Sequence, residues 1–229
     1  MAADIHFDFL LHDAERSALE ALNSLTKEHP MTWAVFNFLK SFQCRKLTFH
    51  NWENVLLCVK FIDHAVTCPH KREHAIVATI FKDCHFNPFS NLWKISSANF
   101  CFDNLFNILG VSKGVAEEIR SSILKINTPK LRQSKMTELE KLVTDVNFIR
   151  LASKWEAFLD ISKMVLAEKG YRENTESLLV RGKYFRLNFP MTLSRNPTPI
   201  FLSSYAHPYE AAARENIKAF LLGCKAASK

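Results

Sequence analysis

The stretch EHAIVATIF, from Glu73 to Phe81, decides the fold class of this chain. Its apolar side chains fall on nearly every side of a helix rather than on a single stripe. A helix of this kind has no face suited to water, so it must be surrounded by other elements. The stretch therefore predicts a buried central helix, and Asn87-Pro88 marks the end of its neighbourhood.

Helical patterns continue on both sides of this central segment. Leu19, Leu22 and Leu25 recur at helical spacing, and Asn51 is placed to cap a helix that continues through Ile62. Glycine is scarce, at 5 of 229 residues, which leaves few natural breaks. Further helices are predicted over 33–39, 97–109, 112–126 with Ser112 as its cap, 147–169, 173–193 and 209–222, with a turn at 196–199. With no repeat or linker, the pattern predicts one all-α domain, a single helical bundle.

The overall composition is that of a globular protein, with 48% hydrophobic and 23% charged residues. Disorder is excluded, and no stretch approaches the roughly 20 apolar residues of a membrane span, so no membrane association is expected. Asp4, Asp8 and Asp13 fit neither a signal peptide nor a mitochondrial presequence. We therefore expect a cytoplasmic or nucleocytoplasmic protein. The six cysteines form no CxxC pair and are predicted to be reduced.

The formal net charge of +7 is unevenly distributed along the chain. Two stretches contain only basic charges: Arg120, Lys125, Lys130, Arg132 and Lys135 in the first, and Arg181, Lys183, Arg186 and Arg195 in the second. One interpretation is a solvated helix face followed by a loop. The other is an anion-binding surface for phosphate or nucleic acid.

Short motifs with a known chemistry are few. Cys68, His70 and His74 have the spacing of metal ligands, but no fourth ligand follows at a familiar distance, so a solvent-facing turn is the preferred interpretation. The sequence contains neither a glycine-rich phosphate loop nor a G-x-S-x-G elbow. Nothing local selects one of the cysteines as a nucleophile.

Several short elements, taken together in their order along the chain, are more informative. They begin with Thr48-Phe49-His50-Asn51, continue with Phe81-Lys82-Asp83-Cys84-His85-Phe86, and then with Thr144-Asp145-Val146-Asn147-Phe148. The last part comprises Gly182-Lys183, Leu187, Arg195-Asn196-Pro197, Ile200-Phe201 and the run from Glu210 to Ile217. This order resembles the HD superfamily of metal-dependent phosphohydrolases. The similar subgroup has a YHN-x-x-H opening, an FHD-x-x-Y element, a D-x-D-L element and a closing R-x-x-I-[YF]…E-x-x-A-R-x-N-[LI] signature.

The resemblance implies a domain division and a metal site. An HD-like helical domain would cover 30–222, after an N-terminal helical extension at 1–29 and before a short tail at 223–229. In the family a divalent metal is held by a histidine, a His-Asp pair and a final aspartate, and it activates water for attack on phosphorus. Carried over by position, His50 matches the first ligand and Asp83 the aspartate of the pair. The final ligand falls on Asp145 or Asn147, of which Asn147 aligns with the second aspartate of D-x-D-L.

This sequence departs from the family pattern at several of those positions. Lys82 stands where the paired histidine belongs, Asn54 replaces the second histidine of the opening, and Lys125 falls near a later histidine. A protonated lysine has no lone pair for a metal and repels its charge. Asn147 retains an oxygen but no negative charge. We therefore expect no metal or other cofactor, and we expect a lysine–aspartate pair to replace the metal charge.

The expected function is accordingly that of a noncatalytic binding, regulatory or scaffold protein. Its pocket would accept a nucleotide or another phosphorylated small molecule through Lys125, Arg181 or Lys183. The alternative is an active metal-dependent nucleotide phosphohydrolase that uses His50, Asp83 and Asp145 in a rearranged metal shell. Nucleic-acid binding is less favoured because no recognition motif accompanies the basic stretches. The sequence does not identify a protein partner.

Overall fold

The fold was analysed in a computed structural model that describes residues 11–43, 47–90, 92–126, 135–172, 174–189 and 199–227. These residues form ten α-helices and no β-strand. The helices are α1 (Leu11–Thr26), α2 (Thr32–Gln43), α3 (Trp52–Ala65), α4 (Pro69–Phe81), α5 (Trp93–Phe102), α6 (Lys113–Lys125), α7 (Glu138–Val146), α8 (Trp155–Glu168), α9 (Thr175–Asn188) and α10 (Glu210–Ala227). None of these described helices is long and apolar enough to cross a membrane.

Helix α4 lies at the centre of the bundle. Every residue from His74 to Phe81 is buried, and the helix contacts α1, α3, α5, α6 and α7. One continuous hydrophobic cluster runs from Ala14 in α1 to Cys224 in α10, through the described parts of the chain. The predictions of a buried central helix and of one all-α domain are therefore confirmed.

Helices α1 and α3 precede α4 in the chain and pack against it. Asn51 caps α3, because its side-chain oxygen accepts a hydrogen bond from the backbone N–H of Asn54 at 2.9 Å. Helix α1 packs on both α3 and α4 through Ala18 and Leu22, which are fully buried. The segment predicted as an N-terminal extension thus contributes α1 to the common core.

The middle of the chain differs from the predicted helices in detail. Helix α5 begins at Trp93, ahead of the predicted start at Ser97, and continues as a π-helix over Asp103–Ile108. Ser112 occupies the cap position of α6 as expected, but its side chain makes no capping hydrogen bond. Helix α7 was not predicted, although Thr137 and Glu140 form a capping box at its start.

The single helix predicted over 147–169 is wrong. The chain instead forms a short 3₁₀ helix at Ile149–Ala152 and begins α8 only at Trp155. The amide of Asn216 in α10 donates to the backbone carbonyls of Leu151 and Ser153, at 2.9 and 2.7 Å. These bonds satisfy carbonyls that would otherwise require a continuing helix, so a contact from far along the chain stabilises the break.

The C-terminal helices agree in position with the prediction and differ in length. Helix α9 ends at Asn188, before the predicted end at Leu193, and α10 extends to Ala227, through most of the predicted tail. Of the turn predicted at 196–199, only Pro199 lies within the described residues. Beyond it, Glu210 accepts backbone hydrogen bonds from Ile200 and Phe201, which holds this segment against the start of α10.

Candidate functional site

Lys82 and Asp83 follow directly on the central helix and are almost completely buried. The Lys82 ammonium pairs with the Asp83 carboxylate. It also donates to the side-chain oxygen of Asn147, which follows α7, at 3.3 Å. We call these three residues the lysine cluster. The two positions at which the sequence departs from the expected metal ligands, Lys82 and Asn147, are therefore in contact.

The Lys82 ammonium keeps its positive charge in the interior. Burial alone lowers the pKa of the Lys82 ammonium, but the Asp83 carboxylate more than offsets that effect, and the net pKa is raised above its ordinary value. A buried cation of this kind stays protonated at neutral pH. The expected lysine–aspartate pair thus has a geometric counterpart in Lys82 and Asp83, whereas Lys125 lies at the end of α6.

His50 lies at the start of α3 and is held by an acid that the sequence did not indicate. Its Nδ1 lies 2.5 Å from Oε2 of Glu168, at the end of α8. The other oxygen of Glu168 accepts the backbone N–H groups of Phe49 and His50, at 2.6 and 2.7 Å. The ring of His50 stacks on Phe86 with centroids 3.4 Å apart. Glu168 therefore fixes both the backbone and the ring of His50.

Asp145 has a third, separate environment. Its carboxylate is fully buried and accepts backbone hydrogen bonds from Leu202 and Ser203 at 2.6–2.9 Å. Burial raises the pKa of this carboxyl to about 6, although the hydrogen bonds from Ser203 and Leu202 oppose the rise. Asp145 thus holds the segment before α10 against the end of α7.

The three residues expected to hold a metal in an active phosphohydrolase are therefore each bound to a different partner. His50 pairs with Glu168, Asp83 with Lys82, and Asp145 with backbone amides. The residues do not fit a divalent metal shared by His50, Asp83 and Asp145, because the Lys82 ammonium lies against Asp83. Within the described ranges, no group of three or more His, Cys, Asp and Glu side chains is arranged to hold a metal ion.

The three residues of the Cys68, His70 and His74 pattern differ in burial. Cys68 and His70 are exposed, but His74 is buried, with its Nδ1 3.0 Å from a carboxylate oxygen of Glu118 in α6. The interpretation as a solvent-facing turn is thus wrong for His74. That residue belongs to the contact between α4 and α6.

A cleft of about 230 Å³ opens beside the lysine cluster, and we call it the cationic cleft. Among the described residues that line it, none is an aspartate or a glutamate. The lining residues are Phe49, His50, Phe86, Asn87, Pro88, Ser90, Trp93, Asn147, Phe148, Arg150, Leu151, Ile161, Val165, Lys169, Arg181 and Tyr184. Asn147 thus belongs both to this cleft and to the lysine cluster.

Two guanidinium groups of the cleft are largely desolvated. The Arg181 side chain is 7% exposed and lies over the rings of Tyr184 and Phe185, at 4.9 and 4.6 Å from their centroids. Its buried Nε has no hydrogen-bond partner. Desolvation lowers the pKa of Arg181 to about 10, which leaves the group charged at neutral pH.

Arg150 is the second of these guanidinium groups. It donates to the side chain of Asn54 at 3.1 Å and lies over the Phe49 ring, while its Nε, too, is buried without a partner. Asn54 therefore orients a cation of the cleft.

Of the residues predicted from charge alone to contact phosphate, some line the cleft and others lie outside it. Arg181 lines the cationic cleft, whereas Lys125 and Lys183 do not. Lys183 is exposed on α9. Sequence reasoning missed Arg150, Lys169 and Glu168, because none of them belongs to a basic stretch or to one of the elements that resemble the HD superfamily. Lys130, Arg132 and Arg195 of the basic stretches lie outside the described residues.

The function of the site is therefore inferred from the chemistry of its residues. A comparison of the chain with known protein families matches none of them, and a search of curated proteins likewise finds no match.

Proposed function

We propose that this chain is an HD-like protein that has lost metal-dependent hydrolysis and binds a phosphorylated small molecule in the cationic cleft. The observation that carries the proposal is the buried Lys82 ammonium, paired with Asp83 and hydrogen-bonded to Asn147 beside a cleft lined by cations. The resemblance of the sequence to HD phosphohydrolases supports the same reading.

The lysine cluster supports the loss of metal chemistry. Removing a metal from a carboxylate site leaves buried negative charge, which is costly unless a cation compensates it. Lys82 supplies that cation from the neighbouring position in the chain. Since an ammonium offers no lone pair to a metal, the same residue removes a ligand and neutralises Asp83.

The cationic cleft supports retained anion binding. Arg150 and Arg181 form no ion pair within the described part of the chain, and each has a buried Nε without an acceptor. A phosphate oxygen is a strong acceptor for guanidinium N–H groups, and Arg binds it in a bidentate manner. Because both groups are largely desolvated, salt screens this attraction less than it screens an exposed lysine.

The metal-dependent phosphohydrolase remains the rival function, and the geometry favours it less. His50, Asp83 and Asp145 each have a partner that is not a shared metal position. In addition, Glu168, which is bound to His50, also holds two backbone amides. Recruiting His50 to a metal would require those contacts to rearrange.

Calorimetric titration with inorganic phosphate at physiological salt tests the proposal. We expect heat of binding for the wild-type protein and a loss of about tenfold or more in affinity for Arg181→Gln, since a charged hydrogen bond contributes about 1.5–3 kcal/mol. Arg186→Gln is the matched control, because Arg186 is exposed on the same helix and does not line the cleft. Lys169→Gln provides a second cleft variant at an exposed position where folding is not at risk.

Two results would overturn the proposal. One is the absence of heat with phosphate in the wild-type protein. The other is metal-dependent release of phosphate or pyrophosphate from nucleotides that Asp83→Ala abolishes, which would establish the rival enzyme.

A further inference from the structure

We infer that the ligand of the cationic cleft is a small aryl phosphate, meaning a single phosphate ester carried on a flat aromatic ring. This inference rests on the proposed function and specifies the class of ligand. It follows from the volume of the cleft, from its charge and from the arrangement of its aromatic rings.

The volume indicates how much of a ligand the cleft can surround. At about 230 Å³, the cleft is smaller than the roughly 300–1,000 Å³ of pockets that enclose drug-sized molecules. A nucleoside triphosphate would extend well outside it. A phosphate group with one ring attached is a better match to the available space.

The charge of the cleft indicates a dianionic group. Arg150, Lys169 and Arg181 bring three cations, and no carboxylate among the described lining residues offsets them. The side chains of Arg150 and Arg181 are held over aromatic rings, so their guanidinium groups lose little side-chain freedom when they meet an anion. A phosphate monoester carries nearly two negative charges at neutral pH, whereas a carboxylate carries one.

The aromatic rings of the cleft form a corner suited to a third ring. Phe86 and Trp93 both line the cleft, and their ring centroids are 5.2 Å apart with planes at 62°. His50 stacks on Phe86 and supports that wall. A flat ring in this corner would lie with its face on one side chain and its edge toward the other, which are the two favoured aromatic geometries. An aliphatic ring of equal size gains only the free energy of burying its apolar area, without the aromatic contacts.

The test compares four ligands in calorimetric titrations: inorganic phosphate, phenyl phosphate, cyclohexyl phosphate and adenosine monophosphate. We expect phenyl phosphate to bind about fivefold more tightly than cyclohexyl phosphate, and both to bind more tightly than inorganic phosphate. In Trp93→Leu the preference for phenyl over cyclohexyl phosphate should disappear. Trp33→Leu is the matched control, because Trp33 is 59% exposed on α2 and does not line the cleft.

The outcomes separate this inference from the proposed function. Equal affinities for phenyl and cyclohexyl phosphate would overturn the inference and leave phosphate binding intact. Tighter binding of adenosine monophosphate than of phenyl phosphate would also overturn it. A lack of binding by all of these compounds would overturn the inference together with the proposed function.

Discussion

The ammonium nitrogen of Lys82 lies 3.3 Å from the side-chain oxygen of Asn147, although the two residues are 65 positions apart in the chain. Both occupy positions where the resembling family is expected to supply metal ligands. Lys82 supplies a hydrogen-bond donor and Asn147 a neutral acceptor. The contact therefore joins two residues that are distant in the chain into one polar cluster, in which Lys82 compensates the charge of Asp83.

Removing the Lys82 charge should destabilise the protein. In Lys82→Met, the Asp83 carboxylate stays buried without its cation, and we expect the free energy of unfolding to fall by about 3 kcal/mol or more. Urea denaturation measures this change. Lys183→Met should stay within about 0.5 kcal/mol of the wild type, because Lys183 is exposed.

A double variant shows whether the charge itself is responsible. Adding Asp83→Asn to Lys82→Met removes the stranded carboxylate, so we expect it to recover a large part of the lost stability. If the double variant is as unstable as Lys82→Met alone, packing of the lysine stem rather than charge compensation explains the effect.

Glu168→Ala should loosen the turn that presents His50. The substitution leaves the backbone N–H groups of Phe49 and His50 without an acceptor, and we expect a loss of about 1–3 kcal/mol. Glu156→Ala, at an exposed position on the same helix, should change stability little. Equal effects of the two variants in thermal unfolding would count against the assigned role of Glu168.

The Glu168 contribution should also depend on pH. Burial raises its pKa, but the hydrogen bonds and charge of His50 outweigh that effect and lower the net pKa below the ordinary 4.5. A carboxyl with a lowered pKa in the folded state stabilises the fold above its unfolded pKa, and this stabilisation is lost as the pH falls. The stability difference between wild type and Glu168→Ala should therefore shrink below pH 4.5.

Asp145 should show the opposite pH dependence. Its pKa is raised from 3.8 to about 6, so between these values the folded state binds more protons than the unfolded chain. Stability supplied at this site is present at low pH and is lost as the pH rises through about 6, by about 3 kcal/mol in total. Urea denaturation from pH 4 to 7 should show the wild type losing stability relative to Asp145→Asn. A constant difference across this range would contradict the prediction.

Metal content gives an independent check on the lysine cluster. We expect elemental analysis of the purified protein to find no stoichiometric Mn, Fe, Co, Ni, Zn or Mg, because the Lys82 ammonium lies against Asp83, offers no lone pair to a metal and repels its charge. Finding about one ion per chain in the wild type, and losing it in His50→Ala, would show that a metal shell forms despite Lys82.

Local sequence patterns were sufficient to predict much of the fold. The cap at Asn51 and the all-round apolar stretch from Glu73 to Phe81 depend on residues within one helix, and both appear in the structure as predicted. The break between α7 and α8 depends instead on Asn216, which contacts Leu151 and Ser153 from more than 60 residues away. A pattern read within one segment contains no trace of such a contact.

The residues of the candidate site could likewise be predicted only where a local sequence pattern marks them. Arg181 was found because it belongs to a stretch without acids, and Lys82 and Asn147 were found because they interrupt a familiar motif. Glu168 interacts with His50 across 118 residues, and Arg150 is oriented by Asn54 across 96. Neither belongs to a motif in the sequence, so only the folded chain places Glu168 against His50 and Arg150 in the cleft.

Phosphate titration with and without a divalent metal tests the central claim most directly. Calorimetry would be performed on the wild-type protein in the presence of a chelator and again with excess Mn²⁺. We predict the same affinity in both, since Arg150, Lys169 and Arg181 supply the positive charge. Binding that requires Mn²⁺ and disappears in His50→Ala would contradict the account, as would the absence of phosphate binding under both conditions.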